Sequence, residues 1–218
     1  MFSKRVIRPE LLDHAEPDEA RENLADLVRI NRFFGGHSTL RKLFSAVVTP
    51  GDRFTVLDVG AASGDSARFI QELYPAACVT SLDNNSVNLE AAPPPKLIAD
   101  AFEIPFAPGS FDFVTASLFL HHFSNEQIIS LLRNFHEVAR RGILISDLER
   151  RLLPYLFLKL SKPFLGWKRI TVHDGLISVR AAFRKDELAG LARAAGIANL
   201  EVVSHRPAFR LTLMSVKQ

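Results

Sequence analysis

The chain of 218 residues has one cysteine, Cys78. A lone thiol excludes an internal disulfide and a thiolate metal cluster, and it points to a reducing compartment. Long apolar runs are also missing. No stretch approaches the ~20 apolar residues of a membrane-spanning helix. The most apolar segment, 152–167, is interrupted by Pro154, Lys159, Lys162 and Pro163. The first residues, MFSKRVIRPELLDHAEPDE, lack the apolar core of a signal peptide, so a soluble cytoplasmic chain is expected. Net charge is small as well: 27 basic and 24 acidic residues leave +3, too mild to argue for nucleic acid by itself. There is no internal repeat, and Pro93-Pro94-Pro95 is the one low-complexity spot. What remains, 47% hydrophobic and 23% charged, is ordinary globular composition. The length suits one domain with an attachment.

Periodicity gives the organisation. Leu24, Leu27, Val28, Ile30 and Phe34 recur at helical spacing over 18–34, with Asp18 as the expected cap and Gly35-Gly36 as the stop. A second short helix is expected over 38–46. The period then changes. Phe54–Val59 is a β-branched apolar run between Pro50-Gly51 and Gly60, which reads as a buried strand. Strands are expected at 78–82, 96–99, 111–116 and 142–146, and helices at 64–73, 86–91 and 126–140, where Ser124 and Gln127 form a capping box. Such alternation implies a parallel sheet with right-handed crossovers. After a long insert comes a helix at 185–195. Runs at 200–204 and 209–216, split by Pro207, read as an antiparallel hairpin. The expected fold is α/β: a Rossmann-like seven-stranded sheet of five parallel strands plus the C-terminal hairpin, with helices on both faces. An N-terminal helical cap (1–50) precedes the main domain (51–218), which carries a lid-like insert at 149–182.

The chemistry concentrates at strand tips. Asp58-Val59-Gly60-Ala61-Ala62-Ser63-Gly64 places an acid at the end of the first strand and small residues at each turn position. Small residues let a ligand lie against the backbone, and the next helix offers its positive end. The glycine period is wrong for a pyrophosphate clamp, and Asp58 would repel a diphosphate, so a cationic amine suits it better. Asp83, 19 residues after Gly64, ends the second strand and can accept two ribose hydroxyls. Asp100 ends the third and can accept from an exocyclic amine, with Ala101 and Phe102 bordering a base. Ligands of such sheets bind at this edge.

The segments DVGAASG (58–64), LDNN (82–85), ADAFEIPF (99–106) and FDFVTASLFLHHF (111–123) resemble class I S-adenosylmethionine-dependent methyltransferases. The small-molecule, type 11/12-like subgroup fits best. The resemblance runs from about residue 53 to 148 and departs at Ala62, where the family usually has glycine. It implies S-adenosyl-L-methionine as cofactor, leaving S-adenosyl-L-homocysteine. Asp58, Gly60 and Gly64 would border its methionine part, with Ala61 and Ala62 in the same loop. Asp83 and Asn84 would hold the ribose, Asp100, Ala101 and Phe102 the adenine, and Ser117 and Leu118 a wall. Arg32 or Arg41 would pair with the methionine carboxylate. H-D-G-x-x-S-V (173–179) and I-N-R-x-x-G-G (30–36) resemble segments of bacterial methyltransferases of polyketide and quinone-like products.

Methylating a hydroxyl benefits from a base, most often histidine. His121 and His122 follow the fourth strand at the mouth of the expected site. His173-Asp174 offers an oriented base, or else a turn with Asp-Gly chemistry. No carboxylate–histidine cluster with ligand spacing appears, so no metal is expected. The segment 150–169 holds six basic residues and no acid among Leu, Phe, Tyr and Trp, so the rest of the chain carries −3. It reads as a lid over an apolar acceptor, as an amphipathic contact with a membrane surface, or as a packed helix with solvated lysines. RNA ranks last, because the strand-four tip Ser117-Leu118-Phe119-Leu120 lacks the motif of amino-methylating nucleic-acid enzymes. The expected acceptor is a small, largely apolar or aromatic molecule.

Overall fold

The structure, a computed structural model, describes residues 4–12 and 15–217; the side chains of 161–164, Lys162 among them, lie outside the description. In chain order the elements are α1 (Pro17–Phe33), α2 (Gly36–Ser45), β1 (Thr55–Val59), α3 (Asp65–Leu73), β2 (Cys78–Asp83), α4 (Ser86–Leu89), β3 (Lys96–Ile98), β4 (Phe111–Ser117), α5 (Asn125–Val138), β5 (Ala139–Leu148), α6 (Leu152–Leu165), α7 (Arg169–Ala181), α8 (Lys185–Ala194), β6 (Glu201–His205) and β7 (Arg210–Val216). A 3-10 turn, Leu120–His122, leads into α5.

The seven strands form one sheet in the order β3-β2-β1-β4-β5-β7-β6. The first five are parallel, and β7 runs antiparallel to both β5 and β6. The order reverses between β1 and β4, the switch point at which such sheets bind ligands.

Both faces of the sheet are buried, as the continuous apolar strands require. On β1, Leu57 and Val59 pack with α5 and α8 through Leu131, Phe135 and Leu188. Val56, of opposite parity, packs with Leu40, Phe44, Ile70 and Tyr74 from α2 and α3. Strand β4 divides the same way, Val114 and Ala116 against Phe113. Burying each such side chain contributes about 1.5–3 kcal/mol.

Two local expectations are corrected. Helix α1 starts at Pro17, so Glu16 occupies the cap position and Asp18 instead pairs with Arg21 at 2.7 Å. Proline is favoured at this first position, where its missing N–H has no acceptor. Second, Asp174-Gly175 is no turn and lies inside α7. The insert itself is helical, with Pro154 in the first turn of α6.

Candidate active site

The loop after β1 is held in a conformation that requires small residues. Gly60 and Gly64 have φ of +68° and +71°. A Cβ on Gly60 would lie 2.2 Å from the Phe119 ring, and one on Gly64 2.7 Å from Ala92 Cβ. Ala62 takes φ +47°, a left-handed position that costs an alanine roughly 1–2 kcal/mol. The loop is pinned to β2: Gly60 N and Ala61 N donate to Leu82 O at 2.9 and 3.0 Å, and Ala62 N donates to Asp83 Oδ2 at 2.9 Å.

The three acids stand at successive tips, in unlike environments. Asp83 is oriented by Ala62 N and by Asn85 N (3.0 Å), and it borders two adjoining cavities. Asp100 is exposed and accepts from Phe102 N at 2.9 Å. Asp58 is buried, its Oδ2 has no partner among the described residues, and burial with the charges of Asp65 and Asp83 pushes its pKa up to about 8. The smaller cavity, about 160 Å³, is bordered by Asp83, Asn84, Asp100, Ala101, Phe102 and Phe119. The larger, about 1540 Å³, takes in the 60–63 loop, Ser117, Leu118, His121 and His122.

A proton-handling cluster lines the large cavity. Asp147, at the end of β5, is fully buried, and its Oδ1 lies 2.7 Å from His121 Nδ1. The same oxygen accepts from Leu148 N at 2.7 Å. Glu10 Oε1 stands 4.0 Å from His121 Nε2 and 3.8 Å from His122 Nδ1. Ser178 Oγ donates to that Glu10 oxygen. Burial disfavours the His121 imidazolium, but the Asp147 charge and hydrogen bond, helped by Glu10, outweigh it and raise the pKa. Burial and the neighbouring His121 push His122 down to about 3. Asp147 is lowered: burial opposes ionisation, and His121 overcomes it.

The other expected residues are placed as follows. Asp174 borders the cavity, but its oxygens accept from Leu11 N and Leu12 N, both at 2.9 Å. It therefore anchors the N-terminal strap that carries Glu10. His173 is exposed, does not border the cavity, and sits 2.9 Å from Asp174 Oδ1. Arg32 and Arg41 are exposed over the Phe33 and Phe69 rings, outside both cavities. His37 pairs with Asp65 at 3.0 Å and stacks on Phe69. Sequence spacing missed Glu10, Asp147 and Arg210. It also missed that Glu10, His121 and His122 converge, with ligand-capable atoms within 4.8 Å of one another. Their carboxylate–nitrogen separations of 3.8 and 4.0 Å exceed the roughly 3.4 Å edge of a zinc tetrahedron with 2.0–2.1 Å bonds.

In the insert, Leu153, Pro154, Phe157 and Leu158 of α6 border the large cavity. Phe34 meets Phe157 and Trp167 at ring distances of 5.2 and 6.0 Å. Three of its six basic residues have partners in view. Arg150 is buried against Ala182 O and Glu187, Arg151 pairs with Glu149, and Lys168 pairs with Glu22. Among the described residues, no helix is long and apolar enough to cross a membrane.

These residues fit a cofactor with a cationic amine, a ribose and a purine. Asp58, buried below the 60–64 loop and not itself bordering either cavity, keeps an Oδ2 without a partner among the described residues, Asp83 borders both cavities, and Phe102, Phe119 and Phe123 border the smaller one. Sheet order and site define a Rossmann-like methyltransferase fold. Residues 56–142 match the family described as a methyltransferase domain. A demethylmenaquinone methyltransferase of Thermotoga maritima is similar, at 29% identity over 121 residues, 53% of this chain and 52% of that protein. The chain thus spans 52% of that relative's length. Among solved structures, a SAM-dependent methyltransferase from Aquifex aeolicus shares the fold with TM-score 0.64 and 16% identity, covering 93% of this chain and 98% of that one. A magnesium protoporphyrin IX methyltransferase from Synechocystis, solved with S-adenosylhomocysteine, gives 0.58 at 18% identity, covering 88% and 85%. Residues 56–142 thus carry a methyltransferase-domain match, and the chain shares its fold with S-adenosylmethionine-dependent methyltransferases.

Proposed function

We propose that the protein methylates an oxygen of a small, largely apolar or aromatic acceptor — a phenol, enol or carboxylate — with His121 as general base. The observation that carries this reading is the buried His121–Asp147 pair, 2.7 Å apart, with His121 in the wall of the large cavity and Asp147 behind it. S-adenosylmethionine supplies a methyl group already activated on a sulfonium sulfur. The protein's work is then alignment, exclusion of water and removal of one proton. Asp58 receives the cofactor's amine, Asp83 with Asn84 the ribose hydroxyls, and Asp100, Ala101 and Phe102 the adenine edge. His121 Nε2 would take the proton of a phenol or enol acceptor, while a carboxylate acceptor arrives without one. Asp147 holds the Nδ1 proton and stabilises the imidazolium, and Glu10 adds a second negative charge on the Nε2 side.

Residues 149–182 act as the lid, α6 and α7 closing on α1 through Phe34, Phe157 and Trp167. Single-turnover assays with phenolic and quinone-like acceptors test the reading, with His121→Gln as control. Label on oxygen supports it. Label on a ring carbon favours the runner-up, C-methylation of a quinone-like ring, and no transfer to any acceptor favours a non-catalytic S-adenosylmethionine-binding protein. A contact of α6 with a lipid surface is a second reading of the insert. It is favoured by the exposure of Leu152, Leu153 and Leu160 at 52%, 63% and 66%, and vesicle sedimentation tests it.

A further inference from the structure

Arg210 opens β7, in register with Leu148 of β5 and His205 of β6. It borders the large cavity and is 1% exposed. A guanidinium offers five N–H donors. The one hydrogen bond this one makes among the described residues is a long contact, Nη2 to Asn31 Oδ1 at 3.4 Å, and buried Nη1 has no partner. It forms no salt bridge with any described carboxylate; Asp147 acts on it only at longer range. The side chain is positioned nonetheless. The Gly35 turn between α1 and α2 packs over Ala208 and the Arg210 stem, where a Cβ on Gly35 would lie 3.7 Å from Arg210 Cγ. Burial pulls its pKa down to about 10, so it stays cationic at neutral pH.

Buried donors in folded proteins are satisfied in the great majority of cases. A fixed, buried, cationic fork with free donors in a cavity wall is suited to a planar oxyanion, which it can grip with two parallel bonds. Asp147 hydrogen-bonds His121 and is also the acid whose charge reaches Arg210, so fork and base flank one carboxylate.

We propose that Arg210 is a carboxylate-binding subsite filled by the methyl acceptor, so that the acceptor is an aromatic or apolar acid whose reactive atom faces His121. This rests on the reading of the cavity as a methyl-transfer site. The same chemistry is present in the cofactor's own carboxylate, and Asn31 links Arg210 to the start of α3. Its Nδ2 donates to Asp65 at the start of α3 while its Oδ1 meets Arg210.

The test is a calorimetric titration of the protein loaded with S-adenosylhomocysteine, using 2-naphthoate and its neutral analogue 2-naphthamide as probes. Wild type binds the acid at least about tenfold more tightly than the amide, the size of one charged hydrogen bond. Arg210→Met abolishes the preference and leaves amide binding unchanged, and Arg210→Lys retains part of it. Methionine keeps much of the stem volume and removes a charge without a close partner, so melting curves of both variants remain cooperative. The Lys variant carries the test if the Met variant does not fold. Equal binding of acid and amide to wild type, no saturable acid binding, or a preference that survives Arg210→Met overturns the proposal. So does a tenfold loss of S-adenosylhomocysteine affinity in Arg210→Met that the decarboxylated analogue does not show, since Arg210 then holds the cofactor. The readout is binding alone, so a failed base assignment at His121 leaves it intact.

Discussion

Asp147 Oδ1 and His121 Nδ1 lie 2.7 Å apart, both buried, at the ends of a strand and a turn that the sheet brings together. The pair sets the pH range of the proposed reaction. A base works in its unprotonated form, and the His121 pKa is raised because Asp147 outweighs the opposing effect of burial. The rise of kcat/KM with pH therefore lies above the ordinary histidine value of about 6.5. Asp147→Asn removes the charge and leaves burial, so the limb moves to lower pH and kcat falls roughly 10²–10⁴-fold. Rate profiles of the two proteins from pH 5 to 9 check both effects.

Asp58 predicts an exchange of stability for binding. Its folded pKa, about 8, lies above the unfolded value of 3.8, so the free protein holds a proton that the unfolded chain has lost. The stability linked to this group is therefore present below pH 3.8 and is lost as pH rises toward 8. Asp58→Asn removes that loss. Its melting temperature without ligand exceeds that of wild type at pH 7.5, the gap narrows toward pH 4, and S-adenosylmethionine binds more weakly.

Gly60 and Gly109 form a matched pair, with φ of +68° and +69°. Alanine at either position carries a backbone cost of roughly 1–2 kcal/mol. A Cβ at Gly60 additionally strikes the Phe119 ring, whereas one at Gly109 meets nothing within 4 Å. Gly60→Ala weakens cofactor binding at least about tenfold, while Gly109→Ala leaves it unchanged; equilibrium binding of S-adenosylhomocysteine separates them.

Adjacent residues in α7 should behave differently. Asp174→Ala removes the acceptor of Leu11 N and Leu12 N and loosens the strap that presents Glu10. Two lost hydrogen bonds to a charged group destabilise by about 1.5–3 kcal/mol each, and turnover falls with them. His173→Ala, at an exposed position outside the cavity, keeps kcat within about twofold. Thermal melts and steady-state kinetics on the two variants distinguish anchor from bystander.

The strand-tip half of the proposed site was legible because its signals are local. Asp58, Asp83 and Asp100 each end a short apolar run, and the loop 60–64 follows the first run directly. The acceptor half is built from separations that no spacing rule spans. Glu10 meets His121 and His122 only because Asp174 and Ser178 of α7 fix the strap. Arg210 reads as a polar residue at a hairpin edge until the Gly35 turn covers it. Composition left the insert open between a lid, a lipid contact and a packed helix; Arg150 is wholly buried, and Arg151 and Lys168 are paired. Pro154 interrupts the apolar run but not the helix, whose first turn tolerates it.

In the proposed reaction His121 removes the acceptor's proton and the cofactor site stands apart from it. The deciding measurement is single-turnover transfer from methyl-labelled S-adenosylmethionine to phenolic acceptors in wild type and His121→Gln. Wild type gives labelled oxygen product, the variant transfers at least about a hundredfold more slowly, and S-adenosylhomocysteine affinity is unchanged. Equal transfer rates in the two proteins would rule His121 out as the base.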